Sequence, residues 1–237
     1  KKFLTFFVIT LGYLGINPQK FHYLMINILN KGNKKIIEKN SEVLIFLNAH
    51  ENSYNLSISK IINFHDVLHK TLPNLLSKKE ILLRNVIYEN SSKSSDYVIA
   101  SSNAVGNDFR KFLRIKKSKI KIINEGVDLR KFSLKNNYKK NLSLPKEYLF
   151  YPAQFWKHKN HIALINFIKI FNEKNKNSLN LVLSGKKKSF FFEVMKKMKE
   201  IKSQKIKYIG EISIDELIST YINSKFVIVP SLHESSS

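Results

Sequence analysis

Short apolar runs that alternate with stretches of helical period constrain this chain more than any other feature. Strand-like runs fall at residues 43–47, 61–64, 96–101 and 120–123, and again at 148–151, 179–184, 206–209 and 226–229. Segments with apolar residues at helical spacing separate them: 19–29, 77–92, 103–113, the stretch from Asn160 onward, 190–201 and 213–221. Strands joined through helices pair in parallel, so the chain reads as α/β with doubly wound parallel sheets. Two of the helix starts carry a serine followed three residues later by a glutamate, Ser77 with Glu80 and Ser213 with Glu216, the spacing of a capping box. The apolar run 3–16, which follows Lys1 and Lys2, is shorter than the ~18 residues that span a bilayer. No small-residue cleavage site of a secretory signal follows it. With Gly12 and Gly15 behind it, 3–9 reads as a buried strand entering a glycine turn.

The alternation breaks once. From Asp128 to Lys146 periodicity is lost and lysine and asparagine accumulate. On that basis residues 1–130 are one Rossmann-like domain, 131–146 a linker, and 147–237 a second, truncated domain. The chain opens without methionine and stops within a serine run, as a piece of a longer protein would. At 237 residues and 43% apolar composition it has material for ordinary cores. Absence of cysteine excludes disulfides and cysteine-based metal sites, which fits a reducing, cytoplasmic setting. No cluster of histidines or acids has metal-ligand spacing, and neither metal nor cofactor is expected.

The formal charge of +23 draws anions, and nucleic acid, anionic lipid and phosphorylated substrates are the candidate partners. Lysine, asparagine and isoleucine are plentiful throughout, so part of that charge is composition carried on solvated faces. A basic nucleic-acid-binding protein is the weaker reading, because no recognition motif accompanies the charge. The run KKSKIK at 116–121 is a candidate for holding the chain on an anionic membrane surface, including the inner face of a cell membrane.

Chemistry concentrates in the stretch YLFYPAQFWKHKNH at 148–161, a buried strand, a polar loop and a helix start. Open α/β sheets place ligands at the carboxyl ends of their strands. Taken alone, Lys157 and Lys159 would be solvated lysines, Glu234 a carboxylate at a strand end, and His65 a satisfied structural histidine.

Five stretches in order alter that balance: INFHDVLHKTLP at 62–73, SDYVIASSNAV at 95–105, KIKIINEGVDLRKF at 119–132, YPAQFWKHKNH at 151–161 and IGEISIDELISTYINSKFVIVPSLHES at 209–235. Their succession resembles the retaining glycosyltransferases of family 4, which have the GT-B fold of two facing Rossmann-like domains. The resemblance implies transfer of a hexose, with retention, from a nucleotide diphosphate sugar to a saccharide or lipid-linked acceptor in cell-surface polysaccharide or glycolipid synthesis. It implies that Lys159, with His158 beside it, meets the diphosphate. Gln154 stands where the family has an arginine, and a neutral amide hydrogen-bonds without neutralising charge. Glu234 is implied at the transferred sugar and His65 at a sugar hydroxyl. Ser235 and Ser236 offer backbone amides where the family has glycines, and Gly185 with Ser184 lines the nucleotide pocket. Gly210 and Glu211 border the base, and Gly12 and Gly15 match a glycine turn after the first strand. The second glutamate of the family's pair would fall past Ser237. A nucleotide-sugar epimerase on the same fold is the alternative enzyme.

Overall fold

The computed structural model describes residues 2–48, 55–132 and 143–235. Ser236 and residues 133–142 of the expected linker lie outside them. The chain divides into two units, Lys1–Gly126 with Glu234–Ser237, and Val127–His233.

The first unit begins with α1 (Lys2–Tyr13), α2 (Gln19–Leu29) and α3 (Lys31–Asn40). It continues with β1 (Val43–Phe46), β2 (Ser59–Asn63), α4 (Leu68–Thr71), α5 (Lys78–Ser94), β3 (Tyr97–Ala100), α6 (Asn103–Leu113) and β4 (Ile120–Ile122). Its sheet is parallel throughout, in the order β1-β2-β3-β4. Parallel crossovers are right-handed, so an order that never reverses receives its helices on one face. Leu44, Phe46, Ile62, Val98 and Ala100 accordingly pack against Ile37 of α3, Tyr88 of α5, and Val105 and Phe109 of α6. On the other face Val43, Ile45 and Tyr97 stay 48%, 56% and 43% exposed. The expected double winding is absent from this sheet among the described residues.

The N-terminal run is a helix, not the expected strand. Its buried residues are Leu4 and Val8, a spacing of four, and they meet Ile26 of α2 and Val86 of α5. A strand would have buried every second residue and needed a sheet edge for its backbone, whereas a helix satisfies its own. Gly12 therefore lies inside α1 and not in a turn after a strand. A Cβ there would collide with the side chain of Leu82 on α5. Only Gly15, at φ 72°, makes the turn.

The second unit comprises β5 (Leu149–Pro152), α7 (His161–Lys174), β6 (Leu181–Ser184), α8 (Phe191–Ile201), β7 (Ile206–Tyr208), α9 (Ile214–Asn223) and β8 (Phe226–Val227). These strands are also parallel, but their order is β7-β6-β5-β8. The sheet grows from β5 to β7, then returns to β5's free side for β8. The same handedness rule now places helices on both faces. Leu149, Tyr151, Leu181 and Leu183 pack with α7 and α8, while Tyr148, Phe150 and Val182 pack with Leu217 and Tyr221 of α9. Both expected capping boxes are present, at the starts of α5 and α9.

Candidate functional site

The strand order reverses at β5, and such a switch point, at the carboxyl ends of β5 and β8, is where open α/β sheets hold ligands. The β5 loop leaves Pro152, tightens into a 3-10 turn at Lys157–Lys159, and passes through Asn160 into α7. Asn160 has φ 58°, a left-handed conformation that asparagine tolerates. Its side chain does not cap the helix; it donates to the carbonyl of Pro230 at 3.1 Å. The first turn of this 14-residue helix thus has no side-chain cap from Asn160 and no acidic residue. Exposed amides and the helix dipole favour an anion at such an end, and Lys157, His158 and Lys159 precede it directly.

The β8 loop is fastened to this turn. The Leu232 amide donates to the His158 carbonyl at 2.8 Å. Tyr151, at the end of β5, donates its hydroxyl proton to the Lys159 carbonyl at 2.8 Å and so accepts from Ser231 Oγ at 3.0 Å. His233 Nε2 is buried without a hydrogen-bond partner.

Beside the turn, the loops after β5, β6 and β7 are stitched together. Ala153 N–H donates to the Ser184 carbonyl at 2.8 Å, Phe155 N–H to Lys186 at 3.1 Å and Gly185 N–H to Gly210 at 3.0 Å. The Ser184 hydroxyl donates to Gly210 at 2.9 Å and the Tyr208 hydroxyl to Gly185 at 2.9 Å. Gly185 sits at φ 146°, and a Cβ there would collide with the carbonyl of Ala153. This close approach leaves a cavity of about 280 Å³ lined by Gln154, Ser184, Gly185, Lys186 and Glu211 over an apolar wall that includes Pro152 and Leu217. Gln154 accepts from the Trp156 indole at 3.1 Å, so its amide NH2 is the group it can offer a ligand.

His161, the first residue of α7, is wholly buried and stacked on Phe155 with ring centroids 4.4 Å apart. Burial pushes its pKa down to about 4, so the ring is neutral and apolar packing is its role. Nothing in the sequence separates His161 from His158, which is half-buried in the turn.

The expected site residues fall into three groups. Gln154 and Gly185 share one cavity, with Lys186, which the sequence reading did not single out. His158 and Lys159 form the turn tied to the β8 loop. His65, Glu234 and Ser235 group with the first unit. His65 is exposed after β2 and pairs Nε2 with Asn48 Oδ1 at 2.9 Å. The Ser235 carbonyl accepts from the hydroxyls of Ser101 and Ser102 at 2.9 and 3.1 Å. His69, within the stretch 62–73, lies buried in α4 against Tyr88, and burial lowers its pKa to about 4. Among the described residues, no group of three or more His, Cys, Asp or Glu is placed to hold a metal ion.

Comparison with known proteins follows the same line. No curated protein matches the chain in sequence. Among solved structures, sucrose-phosphate synthase from Thermosynechococcus elongatus superposes with a TM-score of 0.66 at 16% identity, over 83% of this chain and 52% of that one. HepE from Anabaena, in complex with UDP and glucose, gives 0.69 at 14% identity, over 87% and 57%. A glycosyltransferase from Rickettsia africae gives 0.61 at 20% identity, over 89% and 57%. The chain therefore spans little more than half the length of these proteins. Residues 134–236 match the family model described as Glycosyl transferases group 1. The chain has the GT-B fold, and the family match falls almost wholly on its second unit.

Proposed function

We propose that the second unit binds the diphosphate of a nucleotide sugar at the β5–β8 switch point, as part of a retaining glycosyltransferase of the family 4 type. The observation that carries this reading is the start of α7. Its cap side chain is turned to Pro230, and the lysine-bearing turn before it is bonded to the β8 loop.

Sugar transfer from a nucleotide diphosphate builds negative charge on the departing diphosphate, and preorganised dipoles and cations lower that barrier. The α7 amides and Lys159 supply both. Gln154 hydrogen-bonds but brings no charge, and Lys186, on the same cavity, makes up the missing cation. The cavity between Gln154, Gly185 and Glu211 receives the nucleoside. Glu234 holds the transferred sugar, the Ser235 and Ser236 amides assist it, and His65 bonds a sugar hydroxyl from the acceptor-side domain. The helix end and the lysines do this without a metal. The acceptor is a saccharide or a lipid-linked sugar, used at the cytoplasmic face in cell-surface polysaccharide or glycolipid synthesis. Because HepE is described in complex with UDP and with UDP-glucose, UDP is the first donor nucleotide to try.

Calorimetry with UDP tests the binding step: Lys159→Ala should weaken it by about tenfold or more. Unchanged affinity in that variant removes Lys159 from the site. NMR of the product's anomeric carbon tests retention in the presence of an acceptor, and conversion of the donor sugar without acceptor would indicate an epimerase.

A further inference from the structure

We propose, on the diphosphate reading of the α7 end, that the adjoining cavity selects guanine and that Glu211 is the residue that reads the base. Topology sets the order of the parts. The loops after β5, β6 and β7 follow one another across the sheet, whose strands run β7-β6-β5. They bring Gln154, then Gly185 with Lys186, then Glu211 to one cavity of about 280 Å³. Neighbouring strands lie ~4.8 Å apart, so the β7 loop stands ~10 Å from the β5 loop. A diphosphate at the start of α7 therefore lays its nucleoside across β6 and brings its base to the end of β7. Pro152, Ile212 and Leu217 give the ring an apolar wall.

At that end the hydroxyl donors are already spent. Ser184 donates to the Gly210 carbonyl and Tyr208 to the Gly185 carbonyl, each at 2.9 Å. Burial and then the charge of Glu211 push the Tyr208 hydroxyl above its ordinary pKa, so it keeps its proton for that bond. The Glu211 carboxylate itself forms no hydrogen bond or ion pair among the described residues. A carboxylate only accepts. Guanine presents its ring N1–H and its amino group side by side, one for each carboxylate oxygen, in a charge-assisted pair. Uracil presents a single N–H between two carbonyls, and a carboxylate facing it would oppose oxygen to oxygen. Adenine and cytosine each set one amino group beside a ring nitrogen that accepts. Lys186, on the β6 loop, lies one strand nearer the diphosphate and leaves the base edge to Glu211.

Calorimetry of the chain with GDP, UDP, ADP and CDP tests the proposal. GDP should bind about tenfold or more tightly than each of the others, which keep the diphosphate contacts but not the paired N–H groups. In Glu211→Gln one carboxylate oxygen becomes an NH2 group, which opposes a guanine N–H and suits a uracil carbonyl. GDP should then weaken about tenfold and UDP should tighten, closing the gap to within about twofold. Glu211 is exposed in a loop, so the variant should melt as the parent does, and changes of opposite sign cannot come from misfolding. Equal affinity for GDP and UDP, with both weakened by Lys159→Ala, overturns the guanine assignment and leaves the diphosphate site standing. Tightest binding by UDP, ADP or CDP, or a preference for GDP that persists in Glu211→Gln, also overturns it. Binding of none of the four removes the diphosphate site and the guanine assignment together.

Discussion

The two sheets of this molecule are built from the same parts and differ in one turn of topology. Both are four parallel strands joined through helices. In the first the order runs β1 to β4 without reversal, and in the second it turns back at β5 so that β8 lies on the other side. Two consequences follow from that one difference. The second sheet is covered on both faces, with β6 buried at every position, whereas alternate residues of β1 face solvent. A switch point also lies at the carboxyl ends of β5 and β8, and the turn Lys157–Lys159 stands beside it at the start of α7. Among the described residues the first sheet has no equivalent point.

The largest effect that would sharpen this contrast is expected from glycine. Gly185→Ala puts a methyl against the backbone carbonyl of Ala153 at a φ that L-residues avoid, and neither neighbour can swing away. A loss of about 4 kcal/mol in urea unfolding of the second unit is expected. Gly12→Ala meets the Leu82 side chain, its Cγ as well as its methyls, but no backbone atom, so its cost should be smaller. Equal losses would show that the β5–β6 loop contact is not rigid.

Acid should act on both units. His69 and His161 each have a folded pKa of about 4 against an ordinary 6.5. Below about 6.5 the unfolded chain binds a proton that the folded chain refuses until about 4. The stability each ring contributes at neutral pH is therefore lost as pH falls through that window, by up to about 3 kcal/mol apiece. Replacing His161 by Phe should flatten the pH dependence of the second unit's melting and leave the first unit's unchanged; a parallel change in both would contradict the assignment.

Coverage on two faces should also slow local opening. Amide exchange at β5 and β6 is expected to be about tenfold or more slower than at β1 and β2, read by mass spectrometry on matched peptides. The smallest effect should be shared. Ser77→Ala and Ser213→Ala each remove a capping-box hydroxyl, and each should cost about 1 kcal/mol. Unequal losses would mean that the caps carry tertiary contacts as well as helix ends.

Much of this was legible in the residues. The capping boxes identified two helix starts, and the bounds of α2 and α6 followed from period alone. The N-terminal run misled because its aromatic and β-branched residues favour a strand, and only its partners on α2 and α5 decide for a helix. Strand order is invisible in local pattern, so the reversal at β5 needed the structure. Gln154, Lys159 and Gly185 could be found by position in a motif. Lys186 could not, because a lysine in the run KKK after a strand looks like any solvated one until it shares a cavity with Gln154. His161 was hidden for the opposite reason, since stacking on Phe155 makes it a core residue within a polar sequence.

The central claim is that a nucleoside diphosphate is received at the reversal of the second sheet. Amide NMR during a UDP titration tests it most directly. Shifts confined to residues 153–163, 184–186, 210–212 and 230–233 are predicted, and they should weaken in Lys159→Ala. Shifts clustered at the strand ends of the first sheet, with none around α7, would contradict the account.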